Sequence, residues 1–190
     1  MATSIERNEK IIDAFQSALG RYVMAVSNNE SIFIAFLVLA MNDSTGADAS
    51  MSIWFQFQST RARLDMVRNA VRAVFGVRAP TRRVDEFVTR FKGLTRQRNY
   101  YVHAHYNQDP VTGAMSASGW NIFEGKGEVV RASTKPITKG MCNEITRSCD
   151  LLDELNHEMW KYLERLQKQL MRERKLSEPL IVLPPLYFEE

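Results

Sequence analysis

This sequence has little of several residue types. Its 190 residues include only two cysteines, three histidines, six prolines and nine glycines. Cys142 and Cys149 fall seven positions apart on an expected helix, about 20° apart around its axis and roughly 10 Å apart along it. That is too far for a disulfide within one helix, so both read as reduced thiols. No Cys/His spacing resembles a zinc site. No phosphate-cradling glycine loop, nucleophilic-serine motif or carboxylate-rich metal motif stands out. The sequence therefore points to no metal and no cofactor. The longest apolar run, SIFIAFLVLAM at 31–41, has 11 residues, which is short for a bilayer span. MATSIERNEK lacks the order of a secretory signal. A cytoplasmic protein with no membrane partner is the expectation, and no repeat of solenoid length is found.

What is present is ordinary for a globular protein: 45% apolar and 25% charged residues, with a net charge of +3 and a pI near 8.9. Those values argue against disorder and permit nucleic-acid contact without requiring it. The length suits one domain with a full core.

Helical periodicity dominates. Ile12, Phe15, Leu19, Tyr22, Val26, Phe33 and Leu37 recur at three- and four-residue spacing over 4–41, with Gly20 as a candidate bend. NDSTGAD at 42–48 reads as a turn. ASMSIWFQF at 49–57 suits a short helix or a strand. A clearer helix spans 59–76, capped by Ser59 or Thr60 and ended by Gly76. Another begins at Pro80 and runs through Val84, Phe87, Val88, Phe91 and Leu94 into RQRNYYVHAH at 96–105. Between 107 and 136 the text turns rich in Gly, Ser, Asn and Pro. There WNIF and EVVRAS, joined by EGKG, read as a β-hairpin. A last amphipathic helix covers about 138–174, and a proline-broken apolar tail follows at 176–190. The expected fold is all-α: an antiparallel helical bundle over 1–175 with an inserted hairpin.

RQRNYYVHAH concentrates polar chemistry. Continued at about 100° per residue, the apolar stripe of the preceding helix includes Tyr101 and Val102 and carries Arg98 near its centre, with His105 also inside it. Asn99 and His103 flank it on adjacent turns of one side. A guanidinium on a core-facing stripe needs a partner. Glu30, on the buried stripe of the first helix, is the expected one. The pair would be bidentate, and deleting either member would cost about 3–5 kcal/mol.

Arg98-Asn99-x-x-x-His103 resembles the signature of the HEPN superfamily, in which a polar residue follows an Arg and a His lies a few residues beyond. The resemblance implies a helical bundle that dimerises and brings two copies of the motif to a shared cleft. It also implies metal-independent endoribonuclease activity, as in toxins paired with nucleotidyltransferase-type antitoxins or in defence systems. Arg98, Asn99 and His103 would then be the functional set. The chemistry is coherent. The RNA 2′-hydroxyl is the nucleophile, an imidazole moves protons near neutral pH, and a guanidinium neutralises the phosphorane. Tyr100, Tyr101, His105, Tyr106 and Arg96 are candidate RNA contacts. The other reading is a non-catalytic helical dimer or interaction module. In it Arg98 is a structural ion-pair member, the tyrosines and His105 pack, and the basic run over 78–98 is a solvated face.

Overall fold

The computed structural model describes residues 3–41, 48–122, 129–131, 134–174, 179 and 181. The protein is mostly helical with a small antiparallel β element. The helices are α1 (Ser4–Met41), α2 (Asp48–Gln56), α3 (Thr60–Phe75), α4 (Ala79–Thr95), α5 (Arg98–His103) and α6 (Lys139–Arg174). The strands are β1 (His105–Gln108), β2 (Met115–Ser118), β3 (Trp120–Ile122), β4 (Val129–Arg131) and β5 (Lys135–Pro136). The expected turn at 42–48 lies outside the described residues except Asp48, and the tail at 176–190 lies outside them except Pro179 and Ile181.

Helix ends follow local chemistry. α1 opens on a reciprocal cap: Thr3 N–H donates to Glu6 Oε2 at 2.8 Å and Glu6 N–H to Thr3 Oγ1 at 3.2 Å, satisfying two first-turn donors together. α1 then continues unbroken past Gly20, where a bend was a candidate. A glycine there weakens the helix slightly, and packing along the rest outweighs that. Ser59 caps α3 by accepting from Ala62 N–H at 3.1 Å. Gly76 ends it at φ 62, its N–H donating to Arg72 O at 2.8 Å, a backbone conformation glycine adopts without Cβ strain. α2 is a helix rather than a strand, with Trp54 buried.

The chain forms two compact units. One comprises Met1–Val26 with Lys92–Asp153, the other Ser27–Phe91 with Glu154–Glu190. In the second, α1 is buried on almost every side from Ile32 to Ala40, as the central helix of a core should be. Phe33 meets Phe91 with ring centroids at 5.3 Å, and Phe36 meets Phe87 at 6.1 Å and Tyr162 at 6.3 Å. Residue numbers fall on α4 as they rise on α1, so those two helices are antiparallel. α1 is long and apolar enough over an 18-residue window to cross a bilayer by length and composition, but 61% of that window is buried inside the protein. The 11-residue run understated this because the polar residues Ser27 to Ser31, Glu30 among them, interrupt a longer apolar stretch.

In the first unit, Cys142 Sγ–H donates to Ile11 O at 3.8 Å and Cys149 Sγ–H to Ala18 O at 3.9 Å. Arg21 lies 3.5 Å from Asp150. Numbers rise together on both helices, so α1 and α6 run parallel here. The expected all-antiparallel bundle is corrected in this pair. Parallel neighbours need a long return, and everything from 42 to 138 supplies it. Both thiols are free and buried, and burial pushes their pKa values up.

The β element is larger than one hairpin. β3 and β4 are the expected pair, in register Trp120 with Arg131. A second sheet, ordered β1-β2-β5, stands beside it in the same stretch. The β1–β2 turn is built on Asp109, whose Oδ1 accepts from Val111 N–H at 2.8 Å, while Gly113 at φ 71 donates its N–H to Asp109 O at 2.8 Å.

Candidate functional site

RQRNYYVHAH is not one helix. α4 ends at Thr95, Arg96 and Gln97 form a turn, α5 holds Arg98 to His103, and His105 begins β1. The angular register of α4 therefore stops at Thr95. This corrects two expectations: His105 is exposed rather than on a buried stripe, and Val102 is 41% exposed. Tyr101, also expected on that stripe, is buried at 5% exposure.

Packing fixes the break. Tyr101 meets Phe15 of α1 edge-on at 6.0 Å, and Tyr106 meets the same ring at 5.7 Å. Tyr22 O–H donates to Leu94 O at 2.5 Å, satisfying a last-turn carbonyl of α4 that would otherwise lack a partner. Burial is the main cause pushing the Tyr22 hydroxyl up to about 12. Cys149 and Tyr101 add to it, and the Arg98 charge and backbone N–H oppose it. Tyr22 is thus the neighbour of Arg98 that sequence reasoning missed. Its only signal was membership of the α1 stripe, which marks burial and not the hydroxyl's destination.

The other tyrosines are similarly engaged. Tyr100 O–H donates to Ala117 O at 2.9 Å, and its ring stands edge-on to Tyr101 at 5.3 Å with Lys135 Nζ 5.3 Å from its centroid. A Cβ on Gly119 would fall 2.5 Å from Cδ2 and Cε2 of that ring, so glycine is what lets the ring lie there. Tyr106 O–H donates to Tyr101 O at 2.5 Å, and Tyr101 O–H reaches Gln97 Oε1 at 3.4 Å. Burial, with Tyr100 and Tyr101 adding, pushes Tyr106 up to about 12.

Arg98 is half-buried at the first position of α5, with Asn99 next in the helix. His103, on the last turn, is exposed, and its imidazole has no hydrogen-bond partner among the described residues. His105, on β1 opposite Ser118, and Arg96, in the turn, are exposed as well. Glu30 belongs to the second unit and Arg98 to the first. Within its own unit Glu30 accepts from Thr60 Oγ1 at 2.9 Å and faces Arg63 at 3.9 Å, so α3 supplies partners for this half-buried carboxylate.

The basic run over 78–98 is partly neutralised. Arg90 grips Glu158 through both oxygens, at 2.7 and 2.9 Å, and Arg83 reaches the same carboxylate at 3.0 Å. The Arg90 hydrogen bond is the main cause holding the Glu158 carboxyl below its ordinary range. Among the described residues no cluster of three or more His, Cys, Asp or Glu side chains could hold a metal ion.

Compared with family models, curated proteins and solved structures, the chain matches none.

Proposed function

We propose that the protein is a metal-independent endoribonuclease of the HEPN type, acting as a homodimer with an HEPN-like helical fold. His103 is its proton-transfer group, and Arg98 and Asn99 complete the functional set. The supporting observation is that the fold makes no visible use of His103. Its imidazole ends α5 in solvent without a partner among the described residues, one turn from Asn99 and in the same short helix as Arg98. An imidazole so placed is available to take a proton from a 2′-hydroxyl or return one to a leaving 5′-oxygen. A cytoplasmic toxin or defence component, held in check by an antitoxin or a nucleotidyltransferase-type partner, fits this reading.

A second reading, favoured by the tyrosine lattice, is a non-catalytic helical dimer or interaction module. The hydroxyls of Tyr22, Tyr100 and Tyr106 all end on backbone carbonyls around α5, which is what a packing nexus needs.

The two readings part in one experiment. The protein and His103→Ala are incubated with RNA in excess EDTA. The enzyme reading expects cleavage by the first alone, with the melting temperature of the variant kept within about 1 °C because an exposed, unbonded side chain is removed. Equal cleavage by both, or none by either, overturns it. In the second reading Arg98→Ala lowers stability while RNA is never cut.

A further inference from the structure

Away from α5, the first unit has a cavity of about 350 Å³ lined by Arg7, Lys10, Ile11, Ala14, Lys139 and Cys142. Arg7, Lys10, Ile11 and Ala14 share one face of α1, since residues three, four and seven apart in a helix stack on one side. Lys139 and Cys142 come from the opening turn of α6. Three cations therefore converge on one cavity from two helices. Among the described residues no carboxylate lines it, and none of the three cations has an ion-pair partner. Glu6, the nearest acid before Arg7 on α1, is occupied by the Thr3 cap.

The floor has a different character. Ile11 and Ala14 are aliphatic, and the Cys142 thiol is buried and spends its proton on the Ile11 carbonyl. Burial also keeps that thiol protonated, so it is neutral surface and not a nucleophile. No side chain on the floor offers a donor or acceptor with which to read a polar body. The volume lies at the small end of the range for organic ligands. Cations gathered without acids repel one another, and a bound oxyanion would offset that repulsion with charge-assisted hydrogen bonds. The start of a long helix adds positive potential of the same sign.

We propose that this cavity binds a small amphiphilic oxyanion: a phosphate or carboxylate held by Arg7, Lys10 and Lys139, with an alkyl or aryl body on Ile11, Ala14 and Cys142. The site is independent of the ribonuclease reading, and His103→Ala leaves it intact.

Octyl phosphate, kept below its micellar concentration, is the probe, titrated into the full chain by calorimetry. Saturable one-to-one binding is expected, at least about tenfold tighter than inorganic phosphate, because only the former uses the floor. Lys10→Glu and Lys139→Glu each weaken it by about tenfold or more. Ala14→Phe fills the cavity from an exposed position and abolishes binding while the circular dichroism spectrum and melting temperature hold. Sedimentation with phosphatidylglycerol vesicles separates the two sources of such a ligand. Co-sedimentation lost in the same variants assigns a lipid headgroup, and binding of octyl phosphate without co-sedimentation assigns a free molecule. The proposal is overturned if octyl phosphate does not bind, if inorganic phosphate binds as tightly, or if the charge-reversed and Ala14→Phe proteins bind like the parent.

Discussion

Replacing Gly119 by alanine tests how α5 is seated. The new methyl would stand 2.5 Å from two carbons of the Tyr100 ring, well inside contact distance, and the backbone at Gly119 is not in the left-handed region, so alanine brings no dihedral strain of its own. The ring has to move. In moving it gives up the hydrogen bond to Ala117 O, a loss of about 1 kcal/mol, and the edge-on contact with Tyr101, about 0.5–1.5 kcal/mol. The total, about 2 kcal/mol, falls within the usual cost of overpacking. Equilibrium urea denaturation would read it, alongside a melting temperature lowered by about 4–8 °C for a chain of this size. The decisive measurement is the cycle with Tyr100→Ala. With the ring gone the methyl meets open space, so Gly119→Ala should then cost less than about 0.5 kcal/mol. If the two changes add, with the glycine substitution equally costly in both backgrounds, the ring is not what demands glycine and the account of α5 is wrong.

Alkaline pH should destabilise the protein through its buried tyrosines. Tyr22 and Tyr106 keep their protons up to about 12 when folded, whereas an unfolded tyrosine loses its proton near 10. Between those values the unfolded chain binds fewer protons, so stability is complete below about pH 10 and declines as pH rises toward about 12. Denaturation at about pH 9 and pH 11 should show the loss, and Tyr22→Phe should flatten it; an unchanged slope in that variant refutes the assignment. Glu158→Gln should cost about 1 kcal/mol at neutral pH, discounted because all three partners are partly solvent-exposed. The carboxyl is held below its ordinary value of 4.5, so its contribution is present above that pH and fades as pH falls through the lower folded value. Urea titrations at neutral and acidic pH would show the variant's deficit shrinking in acid, and a deficit that persists there refutes the ion-pair explanation.

Where a helix end rests on local chemistry, the sequence announces it. Ser59 and Gly76 bound α3 through one hydrogen bond each, and both residues reveal themselves by type. WNIF and EVVRAS, rich in β-branched and aromatic residues, contribute the paired strands β3 and β4. The turn at Arg96 and Gln97 had no such mark. No glycine or proline occurs from 94 to 105, so nothing there forces a helix to stop. The break comes from distant partners, Phe15 and Tyr22, which no window around residue 96 contains. The polar strands HYNQ and MSAS lack a readable alternation and are held by the register of their sheet. Arg7, Lys10 and Lys139 escaped notice because single cations on long amphipathic helices look alike until the chain brings two helices together.

The division of the chain has a consequence for its biosynthesis. Because each compact unit is assembled from two separated stretches, no cut at either terminus frees one of them whole. During translation the first unit is complete once Asp153 has left the ribosome. The apolar residues Leu155, Met159, Leu163 and Leu166, which belong to the second unit's core, are still to come. Until the rest of α6 emerges, Phe36 of α1 and Phe87 of α4 lack the Tyr162 ring that packs on them, and a nascent chain stalled in that interval is the species a chaperone would be expected to hold.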